Sequence, residues 1–568
     1  MGEHDVFSSR FAFDVFLQKY SMDKKEGWRD LAKRVAWSVC QGQLKDDEIK
    51  VIESLIYERK FIPGGRYLYS AGRPYHAISN CYAFRAIDSR EGWASTMSKT
   101  VAASMGGGGL GVNYTPVRPF GYPLKRTGGF AGGPIGHAHM VNEGGRYIAQ
   151  GGSRRVALWG GLAWWHPDVL PRTISTGETH PGWLYLKDWS EALREAKARD
   201  LTFPLPMELT NISICYDTLF FDLLDGKYES KGNKAVVHAP WGDVEVTKEL
   251  AEKIWHENCS QAFRTAEPGF SLDYERPGED LRNACTEFIS PDSDDRCNLG
   301  TVWLNHIQSL DELSQVTHFA TLFLLAGGVY SHYPTKEIEE VSKRNNRIGL
   351  GLGGLHEWLM ARGYPFKVTD ELHEWLSTWR SVNDRACEEG AAKLRVAFPK
   401  GRRAVAPVGT LGIMAESTTG IEPLYCKAYE RKYFSDGRWK FQYVVDQSVQ
   451  RLLAIGVPLE KIQDSYDLRF EERVAFQAGV QDYTDMGISS TCNMPQWGTE
   501  VNNENTAIEY EKILLKFAKR LRGFTCYPDG ARGGQPLRRV EDLDFALQME
   551  GKVFEARQHE CVGGVCGI

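Results

Sequence analysis

The pattern that most narrows the fold of this chain is an alternation, running from about residue 76 to residue 540, of short apolar runs with longer stretches of helical periodicity. Cys81-Tyr82-Ala83-Phe84, Val156-Ala157-Leu158 and Ile212-Ser213-Ile214-Cys215 have the length and residue types of strands, whereas Lys248 to Glu257 and Leu310 to Tyr330 space their apolar residues by three and four. Strands that return through a helix run in the same direction, so the alternation predicts a largely parallel α/β sheet or barrel. Ahead of it, Asp30 to Cys40 and Asp47 to Tyr57 predict helices, with a break at Phe61-Ile62-Pro63-Gly64-Gly65. The expected organisation is a helical N-terminal region over 1–75, one large α/β domain over 76–545 and a flexible tail over 546–568. With 568 residues, 42% of them hydrophobic, the chain can fill one large core or two to three ordinary ones.

Charge and cysteine usage exclude several classes of function. The 68 basic and 74 acidic residues give a formal net charge of -6 with no broad basic surface, so a nucleic-acid polymer is not an expected partner. Met1-Gly2-Glu3-His4-Asp5 begins acidic, no leader pattern follows, and no run approaches the ~18 apolar residues of a membrane span, which predicts a cytoplasmic protein without a membrane partner. Twelve dispersed cysteines are too few for a disulfide scaffold. Two of them, in Cys561-Val562-Gly563-Gly564-Val565-Cys566, form a dithiol on a glycine-loosened C-terminus, suited to exchanging disulfides. A zinc half-site is the competing reading of that pair, but only His559 lies nearby as a further ligand, so no metal site is assigned.

The densest chemistry lies at Asn283-Ala284-Cys285-Thr286-Glu287, followed by Cys297-Asn298-Leu299-Gly300. Residues two apart on an extended segment share a side, so Asn283, Cys285 and Glu287 are expected to face one pocket as amide, thiol and carboxylate. That set suits chemistry at a hydroxyl-bearing carbon, the carboxylate taking a proton while sulfur acts on the carbon. The run Gly106-Gly107-Gly108-Gly109-Leu110-Gly111 follows a helical stretch, unlike a dinucleotide fingerprint, which follows a strand. Pro407-Val408-Gly409-Thr410-Leu411-Gly412 and Ser417-Thr418-Thr419-Gly420 place hydroxyls and backbone amides at an expected helix start, an arrangement suited to phosphate.

Taken together, Asn-x-Cys-x-Glu, the Cys-Asn-Leu-Gly after it, Gly420-Ile421-Glu422-Pro423 and the terminal dithiol resemble the catalytic subunit of ribonucleotide reductases. Among these the chain is most similar to the class II, adenosylcobalamin-dependent enzymes. No Tyr-Tyr pair of the class I radical route occurs, Glu287 and the dithiol tail are unlike class III, and Leu521 to Arg532 resembles a segment of cobalamin-dependent members. The resemblance implies a catalytic ten-stranded α/β barrel with a central finger loop. It implies Cys285 as the thiyl-radical residue, Glu287 as the base for the 3′-hydroxyl, Asn283 as the positioning amide, and Cys81 with Cys297 as the reducing pair. Cys561 and Cys566 would re-reduce that pair and be reduced by thioredoxin or glutaredoxin. Gly108, Gly109 and Pro407, Val408, Gly409, Thr410 and Leu411 would bind substrate. Lys125-Arg126-Thr127 and Gln150 to Arg155 fall where the family binds a dNTP or ATP specificity effector. A ribonucleoside diphosphate substrate and a homodimer are favoured over a triphosphate and a monomer. Alternatives are a class I large subunit with a metal-radical partner and an inactive nucleotide-binding relative.

Overall fold

The computed structural model describes residues 6–150, 154–200, 203–435, 438–531 and 537–555. Ten strands form its central sheet: β1 (Phe61–Pro63), β2 (Cys81–Arg85), β3 (Gly109–Asn113), β4 (Leu158–Ala163), β5 (Thr210–Asp217), β6 (Gly269–Asp273), β7 (Asp295–Trp303), β8 (Ile348–Gly353), β9 (Thr491–Met494) and β10 (Gly523–Pro528). Strands β2 to β6 are parallel neighbours in chain order. Strand β10 joins β6 antiparallel and β9 runs parallel to β10. At the other edge β7 joins β2 antiparallel and carries β8 parallel.

Two halves of opposite direction therefore meet along β2–β7 and β6–β10, and backbone hydrogen bonds carry the ladder onward between their free edges. Leu350 on β8 donates to Arg402 and accepts from Ala404, while Val405 donates to Gly487 and accepts from Ser489, just ahead of β9. The ladder so returns on itself around the molecule, leaving little edge unpaired.

The helices follow from the sequence. Helices α1 (Arg10–Lys19), α2 (Trp28–Cys40) and α3 (Asp46–Tyr57) precede the sheet. Each crossover then brings a helix onto the outside, among them α4 (Arg90–Met105), α5 (Lys248–Thr265), α6 (Leu310–Tyr330) and α7 (Asp370–Leu394). Helix α6 begins where Ser309 accepts from the Glu312 amide, an N-cap that satisfies one orphan donor. By length and composition α6 is apolar enough to cross a membrane, against the expectation from the sequence. Its Leu313, Val316, Ala320 and Phe323 are instead buried in the core it shares with α2 and α7. Of these, Leu313, Val316 and Phe323 each contribute about 1.5–3 kcal/mol by leaving water.

Two expected boundaries move. Residues 1–75 are not purely helical, because β1 pairs with β7 through Phe61↔Val302, Ile62↔Thr301 and Pro63↔Gly300, which ties the N-terminal region into the central sheet. The tail does not begin at residue 546. A four-stranded sheet of Leu537–Arg539, Ala428–Ser435, Arg438–Val445 and Val553–Glu555 continues the ordered chain, and the helix Leu543–Met549 packs on it. Ala546 is buried there with Leu424, Ala428, Val445 and Val449, so burial of apolar side chains holds these residues in place. Cys561 and Cys566 lie outside the described residues.

Candidate active site

Between β6 and β7 the chain makes a hairpin, Leu281–Arg282 paired with Ile289–Ser290, whose tip carries Asn283 to Phe288. Glycines on two sides make room for it. A Cβ at Gly111 of β3 would strike the Arg282 carbonyl, and one at Gly487 would sit 2.5 Å from the Thr286 oxygen. The Gly487 amide donates to Glu287 O at 2.8 Å, and Asn211 of β5 donates to Ala284 O at 3.0 Å. The tip is thus held inside the ring from β3, β5 and the strand leading into β9. At its base Arg282, fully buried, pairs with Asp273, and Arg522 bridges Asp273 at 3.2 Å and Glu279 at 2.8 Å.

The expected extended segment at 283–287 is a turn. Thr286 adopts φ 67° and its amide donates to Asn283 O at 3.1 Å. An extended segment would separate residues 283 and 287 by about 13 Å. The turn instead brings Asn283 Nδ2 to 2.8 Å from Glu287 Oε1. The same Nδ2 donates to Cys81 Sγ at 2.8 Å, and Cys81 Sγ donates to Glu287 Oε1 at 3.4 Å. The motif's amide and carboxylate so meet by a turn rather than by strand alternation, and the thiol bonded to both is Cys81 of β2 rather than Cys285.

Across the β2–β7 ladder Cys81 lies directly opposite Cys297. Directly opposed residues of antiparallel strands have Cα atoms about 4.5–5.5 Å apart, inside the range a disulfide spans. Both are thiols here. Burial pushes Cys81 well above the ordinary thiol range, and the neighbouring Glu287 adds to the effect. Cys297 is raised by burial too, with Arg296 opposing. Burial also raises Glu287, against the hydrogen bonds from Asn283 and Cys81. Glu287 is 1% exposed, and its second oxygen, Oε2, has no hydrogen-bond partner among the described residues. Cys285, at the hairpin tip, is half-buried.

Cys81, Asn283, Cys285 and Glu287 line a cavity of about 230 Å³ with Gly109, Pro407, Val408, Thr410 and Leu411, while Cys297 is buried behind Cys81 and is not part of the wall. Two residues expected there are placed otherwise. Gly108 donates its amide to Ala103 O at the end of α4 and packs under the Tyr82 ring, while its neighbour Gly107 reaches the cavity. Gly409 begins α8 (Gly409–Ala415) and faces a larger cleft of about 590 Å³ on the helix's other side, with Ser417 and Thr419. Ser417 donates to Glu357 and Thr419 to Glu422. Sequence reasoning missed Tyr20, Arg66 and Thr301, which also line the cavity. None stands in a spaced motif with the others; only the fold assembles them. In the expected effector region, Lys125-Arg126-Thr127 forms an exposed turn, and Ala149–Gln150 pairs with Arg154–Arg155.

An inner hairpin, a buried carboxylate with one oxygen unpartnered among the described residues and two opposed thiols thus meet within the strands. The barrel domain of ribonucleotide reductase matches residues 79–175 and 243–377. The chain is similar to a vitamin B12-dependent ribonucleoside-diphosphate reductase of Mycobacterium tuberculosis, 24% identical over 88% of this chain and 76% of that one. A putative adenosylcobalamin-dependent ribonucleoside-triphosphate reductase of Mycobacterium phage D29 is 23% identical over 86% of this chain and 76% of its own. Similarity to the ribonucleoside-diphosphate reductase large subunit of Caenorhabditis elegans, at 25% identity, extends over 64% of this chain and 48% of the subunit. The chain is thus similar to ribonucleotide reductases over most of its length.

Proposed function

We propose that the chain reduces ribonucleoside diphosphates to 2′-deoxyribonucleotides by a thiyl-radical mechanism, with adenosylcobalamin as its cofactor. The observation that carries the reading is the buried Glu287, whose Oε1 is held by Asn283 and Cys81 while Oε2 has no partner among the described residues, beside the half-buried Cys285. Oε2 offers an acceptor to a ribose 3′-hydroxyl lying in the cavity. With Cys285 as a thiyl radical removing the 3′ hydrogen, Glu287 takes the 3′-hydroxyl proton. Cys81, kept protonated by burial and by Glu287, gives its proton to the departing 2′-hydroxyl, which leaves as water. Cys81 and Cys297 together supply two electrons and end as a disulfide, the second hydrogen of the pair going to C2′, Glu287 returns its proton to the 3′ oxygen, and the 3′ hydrogen returns from Cys285.

Residues near the barrel end fit the cofactor. Cys285 is the member of the constellation that is not buried. A partly apolar cleft of about 410 Å³ opens beside the end of β9, lined by Tyr466, Asn493, Met494, Pro495 and Tyr510, and would hold part of so large a group. When bound, adenosylcobalamin supplies the organic radical that oxidises the Cys285 thiol. Cys561 and Cys566 would re-reduce the Cys81–Cys297 disulfide and pass it to thioredoxin or glutaredoxin. A dNTP or ATP effector, a homodimer and a cytoplasmic setting complete the proposal.

The test is turnover of ribonucleoside diphosphates and triphosphates with adenosylcobalamin, dithiothreitol and an effector. Deoxyribonucleoside diphosphate as the main product is expected. No product from either series would overturn the reading, and activity that needs a metal-bearing partner protein but no cobalamin would favour a class I large subunit.

A further inference from the structure

The N-terminal helix α1 is fastened along α8, which carries part of the cavity wall. At one end the Ser9 amide donates to Glu416 Oε1 at 2.7 Å, and Arg59 pairs with Glu416 Oε2 at 2.8 Å. At the other end Lys19 Nζ reaches Thr410 Oγ1 at 3.5 Å. An aromatic cluster of Phe7, Phe16 and Trp28, with ring centroids 5.5–5.9 Å apart, anchors the helix from behind. The next residue, Tyr20, is 3% exposed and lines the cavity that holds Cys81, Cys285 and Glu287.

This cavity carries charges of both signs. Glu287 is the carboxylate on its wall, beside the thiols. Arg66 is the cation on the wall, and Lys19 stands over Thr410 at the rim. A substrate that joins a sugar to a negatively charged phosphate can use both signs.

We propose that Lys19 and Tyr20 are part of the nucleotide site, with Tyr20 closing the cavity wall and Lys19 binding the terminal phosphate of the substrate beside Thr410. This rests on the reading of the cavity as a ribonucleotide site and adds a residue that sets how many phosphates the substrate carries. An ammonium on a flexible stem suits this role as a point charge for phosphate.

The experiment measures equilibrium affinity of the full chain for cytidine, CMP, CDP and CTP, in wild type, Lys19→Ala and Lys19→Arg. Wild type should gain affinity at the step from CMP to CDP. Lys19→Ala should lose about tenfold of that gain, equivalent to about 1.4 kcal/mol, with cytidine affinity unaltered, and Lys19→Arg should recover most of it. An equal CMP-to-CDP step in wild type and Lys19→Ala would overturn the proposal. So would an equal loss for cytidine, which would make Lys19 a latch between α1 and α8 only. Wild-type turnover is measured alongside: absence of deoxynucleotide would refute the ribonucleotide reading itself, a result separate from the phosphate step.

Discussion

Glu287→Gln separates the chemistry of the site from its packing. Glutamine is nearly isosteric, so its oxygen can keep the hydrogen bonds from Asn283 Nδ2 at 2.8 Å and Cys81 Sγ at 3.4 Å. What it loses is the ability to accept a proton. Loss of a positioned general base costs about 10²- to 10⁴-fold in rate, or about 3–5 kcal/mol of barrier. Stability should move the other way. Burial raises the Glu287 pKa, so the native state holds a proton that the unfolded chain has released once pH passes the ordinary carboxylate range. Wild-type stability therefore falls as pH rises from that range through the folded pKa and stays lowered above it, by about 1.4 kcal/mol for each tenfold difference in proton affinity between the folded and unfolded chain. Glutamine has no such loss. Chemical denaturation of both proteins in acid and at neutral pH, beside steady-state turnover, should show a variant that is equal in acid, more stable at neutral pH and at least a hundredfold slower. A Gln variant within tenfold of wild-type turnover would refute the base assignment, and one less stable at neutral pH would refute the account of its burial.

Other outcomes follow from the same geometry. Cys285→Ala should remove product formation with every reductant while costing about 1 kcal/mol or less, since the residue is only half-buried; thermal unfolding and turnover check the pair. Gly487→Ala would place a Cβ 2.5 Å from Thr286 O and 3.1 Å from Glu287 Cα. It should cost about 1–3 kcal/mol and depress turnover by shifting the hairpin tip, read by denaturation and by rate. The double variant Cys561→Ser/Cys566→Ser should keep turnover with dithiothreitol and lose it with thioredoxin; equal rates with thioredoxin would exclude the tail as the shuttle. The acid limb of the wild-type pH–rate profile should lie above the ordinary carboxylate range, as the raised Glu287 pKa requires, and should vanish in Glu287→Gln.

How much of this was legible in the chain depends on whether a feature is local. Strands at Cys81 and Ile212 and the helix Leu310–Tyr330 carry their own apolar periodicity, and the structure places them where the pattern does, whereas the strand expected at Val156–Leu158 begins at Leu158 and runs to Ala163. The Asn283, Cys285 and Glu287 set is local as well, yet its geometry is not: Thr286 in the left-handed region and the amide of Gly487, 200 residues away, make the turn that brings the side chains together. Facing of Cys81 and Cys297 is a register, fixed by pairing across more than 200 residues of chain. Gly107 and Gly108 are indistinguishable as letters. Only the end of α4, where the Gly108 amide bonds back to Ala103, decides which of the two faces the cavity. Tyr20 and Arg66 fall in a stretch whose periodicity speaks only of helices, and their place in the wall comes from the docking of α1 and β1. The ordering of residues 537–555 likewise needs a partner, the sheet of Ala428–Ser435 and Arg438–Val445.

The central claim is that Cys81 and Cys297 supply the electrons for a reaction that Cys285 begins. A single-turnover experiment on the pre-reduced Cys561→Ser/Cys566→Ser variant, with adenosylcobalamin, nucleotide and effector but no external reductant, tests it most directly. The account predicts up to one deoxyribonucleotide per chain, matched by a disulfide that peptide mass mapping locates between Cys81 and Cys297. Deoxyribonucleotide formed while both thiols remain free, or with the disulfide elsewhere in the chain, would contradict it.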